Sequence, residues 1–154
     1  MSNRREDPAA EGGPALFRLV RFWSRRWVNQ TLVPGEPDGD VRRVQYIQAV
    51  EAVSAAHRSG QEATVTTVAT QLGLDHSGAS RIVRDTVTAG YLARADSARD
   101  RRRVVLELAE SGERLLAAAH DWQRRCFDEL TADWDEPDRR QFAGYLRRLA
   151  DEAT

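Results

Sequence analysis

Apolar positions at helical spacing dominate the chain, interrupted once by a short alternating stretch. Leu16, Leu19, Val20, Trp23 and Trp27 recur three or four residues apart, with Phe17 and Phe22 widening the same surface. They predict a helix over 14–33 that stops before Pro34-Gly35-Glu36-Pro37. A second helix is predicted from Asp40 to Gly60. Its two apolar stripes, Val41/Val44/Ile47/Val50 and Tyr46/Val50/Val53/His57, suit a central helix packed on more than one side.

Two short helices come next. Thr64 is placed to cap Val65–Leu72, Gly73 to end it with a positive φ, and Asp75 to cap a helix running to Gly90. Val68, Ala69, Leu72, Ala79, Ile82 and Val83 line the face that the two helices share, so the segment reads as helix, tight turn, helix. Residues 91–94 and 104–108 predict a strand pair, joined by the polar loop 95–103. Residues 110–131 then carry Leu115, Ala119, Trp122, Cys126 and Leu130 on one stripe. Asp135 and Pro137 open a last helix over 136–152. Residues 1–13, with Pro8, Gly12, Gly13 and mixed charges, are expected to be a disordered arm.

Composition narrows the class. With 154 residues, 41% hydrophobic and 31% charged, one globular domain over 14–152 is expected. No apolar run approaches the roughly 18 residues of a membrane span, and the polar start carries no secretory signal, so a cytoplasmic protein is expected. The single Cys126 forbids an intrachain disulfide, and its place on an apolar stripe reads as packing. The three histidines lie far apart and give no zinc spacing; neither metal nor cofactor is expected. Asp133, Asp135, Glu136 and Asp138 lack the glycine of a calcium loop and read as caps for the last helix. No phosphate-binding glycine loop or nucleophile elbow is present, which argues against an enzyme.

The formal net charge is −1, but the charges are segregated. Residues 81–104 hold seven arginines against Asp85, Asp96 and Asp100, whereas residues 105–154 hold seven against twelve acids. A basic middle beside an acidic tail points to a local polyanion site rather than a uniformly basic coat.

Thr64 to Leu92, with its ThrValThrThrValAlaThrGlnLeuGlyLeuAsp opening and AlaGlyTyrLeu close, resembles the winged helix-turn-helix of the MarR family of bacterial transcription regulators. Asp100-Arg101-Arg102-Arg103-Val104-Val105-Leu106-Glu107-Leu108, with Gly112 four residues on, is similar to that family's wing signature. The fold implied is mainly α with a small β-hairpin wing. The winged helix-turn-helix covers about 60–109, flanked by dimerisation helices over about 14–33, 110–131 and 136–152. Two departures stand out: Ala109 replaces the usual threonine cap, and the loop 96–100 has one residue more than the commoner form and no proline.

A helix-turn-helix presents its second helix to the DNA major groove. His76, Ser77, Ser80, Arg81 and Arg84 lie on or near that presenting side, and an arginine there suits bidentate contact with guanine. Arg99, Arg101, Arg102 and Arg103 crowd the wing loop, where a polyanion relieves their repulsion. The resemblance implies that Asp100 braces the wing through a salt bridge and that Arg101 or Arg102 enters the minor groove. It further implies a homodimer on double-stranded DNA, a repressor of a pseudo-palindromic operator, and release by a small aromatic effector in a cleft for which Trp23, Trp27 and Tyr46 are candidates. The alternative is a winged-helix protein-interaction module without specific DNA binding.

Overall fold

The computed structural model describes residues 8–30 and 39–153, with side chains over 10–23 and 42–153. Contacts along the chain divide it into two units, residues 1–45 and 46–154. In the first unit, α1 (Pro8–Gln30) begins six residues before Pro14. The expected disordered arm is therefore helical from Pro8 onward, and residues 1–7 lie outside the described region, as do 31–33 of the expected helix. Pro8 sits at the first helical position, where its missing N–H would have no intrahelical partner in any case. Pro14, inside α1, removes one later backbone bond in an exposed stretch. Leu16, Phe17, Leu19, Val20 and Phe22 are all exposed on α1.

The second unit is built around α2 (Gly39–Arg58) from Tyr46 onward. Ile47, Ala49, Val50, Ala52, Val53 and Ala56 are buried on it, so it is the central helix that its paired stripes suggested. Alanines bury one flank, and His57 at the end of the second stripe is exposed, turning its Nε2 to the Leu106 carbonyl at 3.2 Å.

The local signals around α3 (Val65–Leu72) and α4 (His76–Thr88) form as the sequence indicated. Thr64 and Thr67 make a reciprocal capping box, Thr67 N–H donating to Thr64 Oγ1 (3.3 Å) and Thr64 N–H to Thr67 Oγ1 (3.0 Å). Gly73 has φ +63°, a left-handed conformation that glycine adopts without strain, and its position lets the chain turn straight into α4. Val68, Val83 and Thr86 are completely buried between these helices and the core.

β1 (Leu92–Asp96) and β2 (Val104–Leu108) pair antiparallel, with Leu92 opposite Leu108 and Asp96 opposite Val104. Ala63 adds a third, one-residue bridge: its carbonyl accepts from Leu106 N–H at 2.8 Å. α5 (Glu110–Leu130) starts at Ala109, whose side chain offers no cap. Close docking takes the cap's place, because Ser111 Oγ donates to the Gly90 carbonyl and Ala109 N–H to the Tyr91 carbonyl. Gly112 touches that same carbonyl so closely that a Cβ would lie 2.1 Å from the oxygen.

α6 (Glu136–Ala153) is entered through Asp135, whose Oδ1 accepts from Asp138 N–H at 2.8 Å. Phe142 stacks near Phe127 and tilts against Trp134, yet α6 buries no residue fully. Tyr145, Leu146 and Leu149 are exposed on it.

Candidate nucleic-acid interface

α4 owes its presenting face to its own periodicity. Ala79, Val83 and Thr86 turn inward, which leaves His76, Ser77, Arg81 and Arg84 exposed and Ser80 half-buried. The Asp75 carboxylate accepts from Gly78 N–H at 2.6 Å and from Ser77 Oγ at 3.2 Å. Those two bonds, together with the charges of Arg81 and His76, hold its pKa below the ordinary aspartate value. One first-turn amide of α4 is therefore already taken, as is the Ser77 hydroxyl. Arg84 is held loosely by its neighbour Asp85 at 3.6 Å.

The wing gathers the second basic group. Arg99, Arg101, Arg102 and Arg103 are all exposed, and among the described residues none forms an ion pair within 4.0 Å. The expected salt bridge from Asp100 to a wing arginine is thus absent. Asp100 instead holds the loop through backbone: its Oδ1 accepts from Arg102 N–H at 3.0 Å, and its carbonyl accepts from Arg103 N–H at 2.9 Å. A carboxylate committed to an amide in the tight turn leaves the guanidinium groups pointing to solvent. Arg99 reaches back toward the Gly60 carbonyl at 3.5 Å, the limit of a hydrogen bond.

Sequence reasoning missed the centre of the wing. Ser97, 3% exposed, donates through Oγ to the Glu62 carboxylate at 2.8 Å and accepts from the amides of Arg99 and Asp100 at 3.1 Å each. A serine and a glutamate 35 positions apart carry no local signal. The only hint was the unusual length of the loop.

The candidate effector residues are distributed over the two units. Trp23 lies in the first, half-buried, with Phe22 edge-on to it at 5.5 Å. The side chain of Trp27 lies outside the described residues. Tyr46 lies in the second and tilts against Tyr91, ring centroids 5.6 Å apart. Cys126 is buried in α5, where packing was expected. No described helix is long and apolar enough to cross a membrane.

The MarR family model matches residues 45–103, the stretch from α2 to the end of the wing loop. No curated protein matches the sequence. Among solved structures, a MarR family protein from Bacillus stearothermophilus is similar at 20% identity and a TM-score of 0.69, covering 99% of this chain and 98% of that one. A MarR family transcriptional regulator from Silicibacter pomeroyi DSS is similar at 23% identity and a TM-score of 0.68, covering 100% and 99%. The S. aureus MepR–DNA complex matches at 17% identity and a TM-score of 0.58, covering 92% of this chain and 99% of MepR.

Proposed function

Residues 45–103 belong to the MarR family, and from that premise we propose that the chain is a sequence-specific DNA-binding transcriptional regulator, a dimeric repressor of a pseudo-palindromic operator. One observation carries the reading. An exposed, arginine-bearing face on the second helix of a helix-turn-helix stands in the same unit as a wing whose four arginines have no ion-pair partner among the described residues. Unpaired like charges in one short loop repel each other, and duplex phosphate is the ligand that relieves them over the widest area. A solved relative of the same fold is a DNA complex, which supports the same ligand.

In this reading Arg81, with His76, Ser80 and Arg84 beside it, reads or positions bases in the major groove, and Ser77 joins once it exchanges Asp75 for DNA. Arg101 or Arg102 serves the minor groove, Arg99 and Arg103 the phosphates, and Asp100 keeps the turn. The dimer rests on exposed apolar side chains at both ends of the chain: Phe17 and Val20 on α1, Leu130 on α5, and Tyr145 and Leu149 on α6. Such faces suit burial against a second copy, and a two-fold pair sets two recognition helices about 34 Å apart. Release by a small aromatic effector rests on the aromatic character of Trp23, Trp27 and Tyr46 alone.

The test is duplex binding across a salt series. Wild type is expected to lose affinity steeply as salt rises, and each phosphate contact removed by Arg101→Ala or Arg102→Ala to lower the slope of log K against log salt by about 0.9. A double variant with wild-type affinity and slope would remove the wing from the DNA interface.

A further inference from the structure

The wing of this chain has no proline to stiffen it and no salt bridge from Asp100, yet its loop is ordered by one buried hydroxyl. Ser97 Oγ has one proton to donate and two lone pairs to accept with. All three are used: the proton goes to Glu62, and the lone pairs take the amides of Arg99 and Asp100. Ser97 N–H is in turn bonded to the Arg103 carbonyl at 2.9 Å, so the base of the loop closes on the same residue. Glu62 is anchored independently of the wing's tip. The next residue, Ala63, pairs with Leu106 of β2, and Thr64 caps α3. A carboxylate fixed to the body of the helix-turn-helix thus sets the direction of the Ser97 hydroxyl, and the hydroxyl sets two consecutive amides in the arginine loop.

We infer that Glu62 is a positioning residue for DNA binding, acting through Ser97 to hold the wing arginines in the geometry that meets the duplex. The inference rests on the DNA-binding reading above. It carries a sign that a plain charge effect does not. Glu62 is an acid in the same unit as a polyanion-binding loop, so by long-range electrostatics alone its neutralisation strengthens DNA binding. As a brace, its truncation weakens DNA binding, because the Ser97 proton loses its acceptor in a nearly closed site and the loop must be ordered at the moment of association.

The experiment compares wild type, Glu62→Ala, Glu62→Gln, Ser97→Ala and Ser97→Thr, with duplex affinity read by fluorescence anisotropy and amide hydrogen exchange read at Arg99 and Asp100. Glu62→Ala and Ser97→Ala are expected to weaken binding by about tenfold or more, tenfold being the low end of the scale of one lost hydrogen bond to a charged group, and to speed exchange at both amides. Their double variant is expected to lose no more than the stronger single one, since both break the same link. Glu62→Gln keeps an acceptor oxygen and sheds the charge, so it is expected to bind at least as tightly as wild type. Ser97→Thr keeps the hydroxyl and is expected to restore slow exchange. Tighter binding by Glu62→Ala, or faster amide exchange with unchanged affinity, would overturn the inference. Wild type that fails to bind any duplex would overturn the regulator reading itself, whereas unchanged exchange in Glu62→Ala would overturn the brace without touching that reading.

Discussion

Replacing Gly112 with alanine opposes two effects of different size, which makes it a sharp test of how the wing is joined to α5. Gly112 is the third residue of α5, and in an exposed helix Gly→Ala gains about 1 kcal/mol of helix propensity. Here the added Cβ would stand 2.1 Å from the Tyr91 carbonyl oxygen, and 3.0 Å from its carbon. Carbon and carbonyl oxygen approach to roughly 3.3 Å at closest, so the helix start must retreat by about an ångström. The obstacle is backbone, which cannot rotate away as a side chain would. The retreat also pulls apart the bonds from Ser111 Oγ to Gly90 and from Ala109 N–H to Tyr91. Overpacking costs about 1 to 3 kcal/mol and each lost hydrogen bond about 1 kcal/mol, so after the propensity gain the net loss is about 2 kcal/mol or more. Urea unfolding at one fixed protein concentration reads this as a lower midpoint with an unchanged slope. A midpoint equal to or above wild type would refute the close docking of α5 on the Gly90–Tyr91 corner.

Two further outcomes concern the caps. Ala109 has the extended backbone of an N-cap, φ −77° and ψ 160°, but no side-chain oxygen, so Ala109→Thr is expected to raise stability by about 1 kcal/mol in the same unfolding assay, and a loss would show that the position excludes a hydroxyl. Asp75 is held ionised first by the Gly78 amide and then by Ser77. Its folded pKa lies below its unfolded one, so its contribution is complete above the ordinary aspartate range and disappears as pH falls through the folded value. A carboxyl titration by NMR that placed Asp75 above the ordinary aspartate value would contradict this.

The parts of the fold legible in the sequence are those that a few neighbouring residues decide. Thr64, Gly73 and Asp75 act within one turn of themselves, and all three formed as read. α1 extends six residues before the predicted start because residues 8–13 carry no apolar stripe, the signal from which the helix was read, and yet continue the helix. Gly112 was noticed through its family spacing, but its reason, contact with a carbonyl 21 positions back, exists only in the folded chain. The wing was legible as a cluster of arginines and not as a structure. Which acid braces it depended on Glu62 arriving from before α3, and Asp100, the nearer and more obvious acid, spends its carboxylate on a backbone amide.

The measurement that bears most directly on the central claim is selection of bound sequences from a random duplex pool, followed by affinity measurements of wild type and Arg81→Ala on the winner and on unrelated DNA. The account predicts an enriched inverted repeat with half-sites about one helical turn apart. It also predicts a loss in Arg81→Ala of about 1 to 3 kcal/mol on that site, with a smaller loss on unrelated DNA. A folded wild-type protein that enriches no sequence, or that binds every duplex alike with and without Arg81, would contradict it.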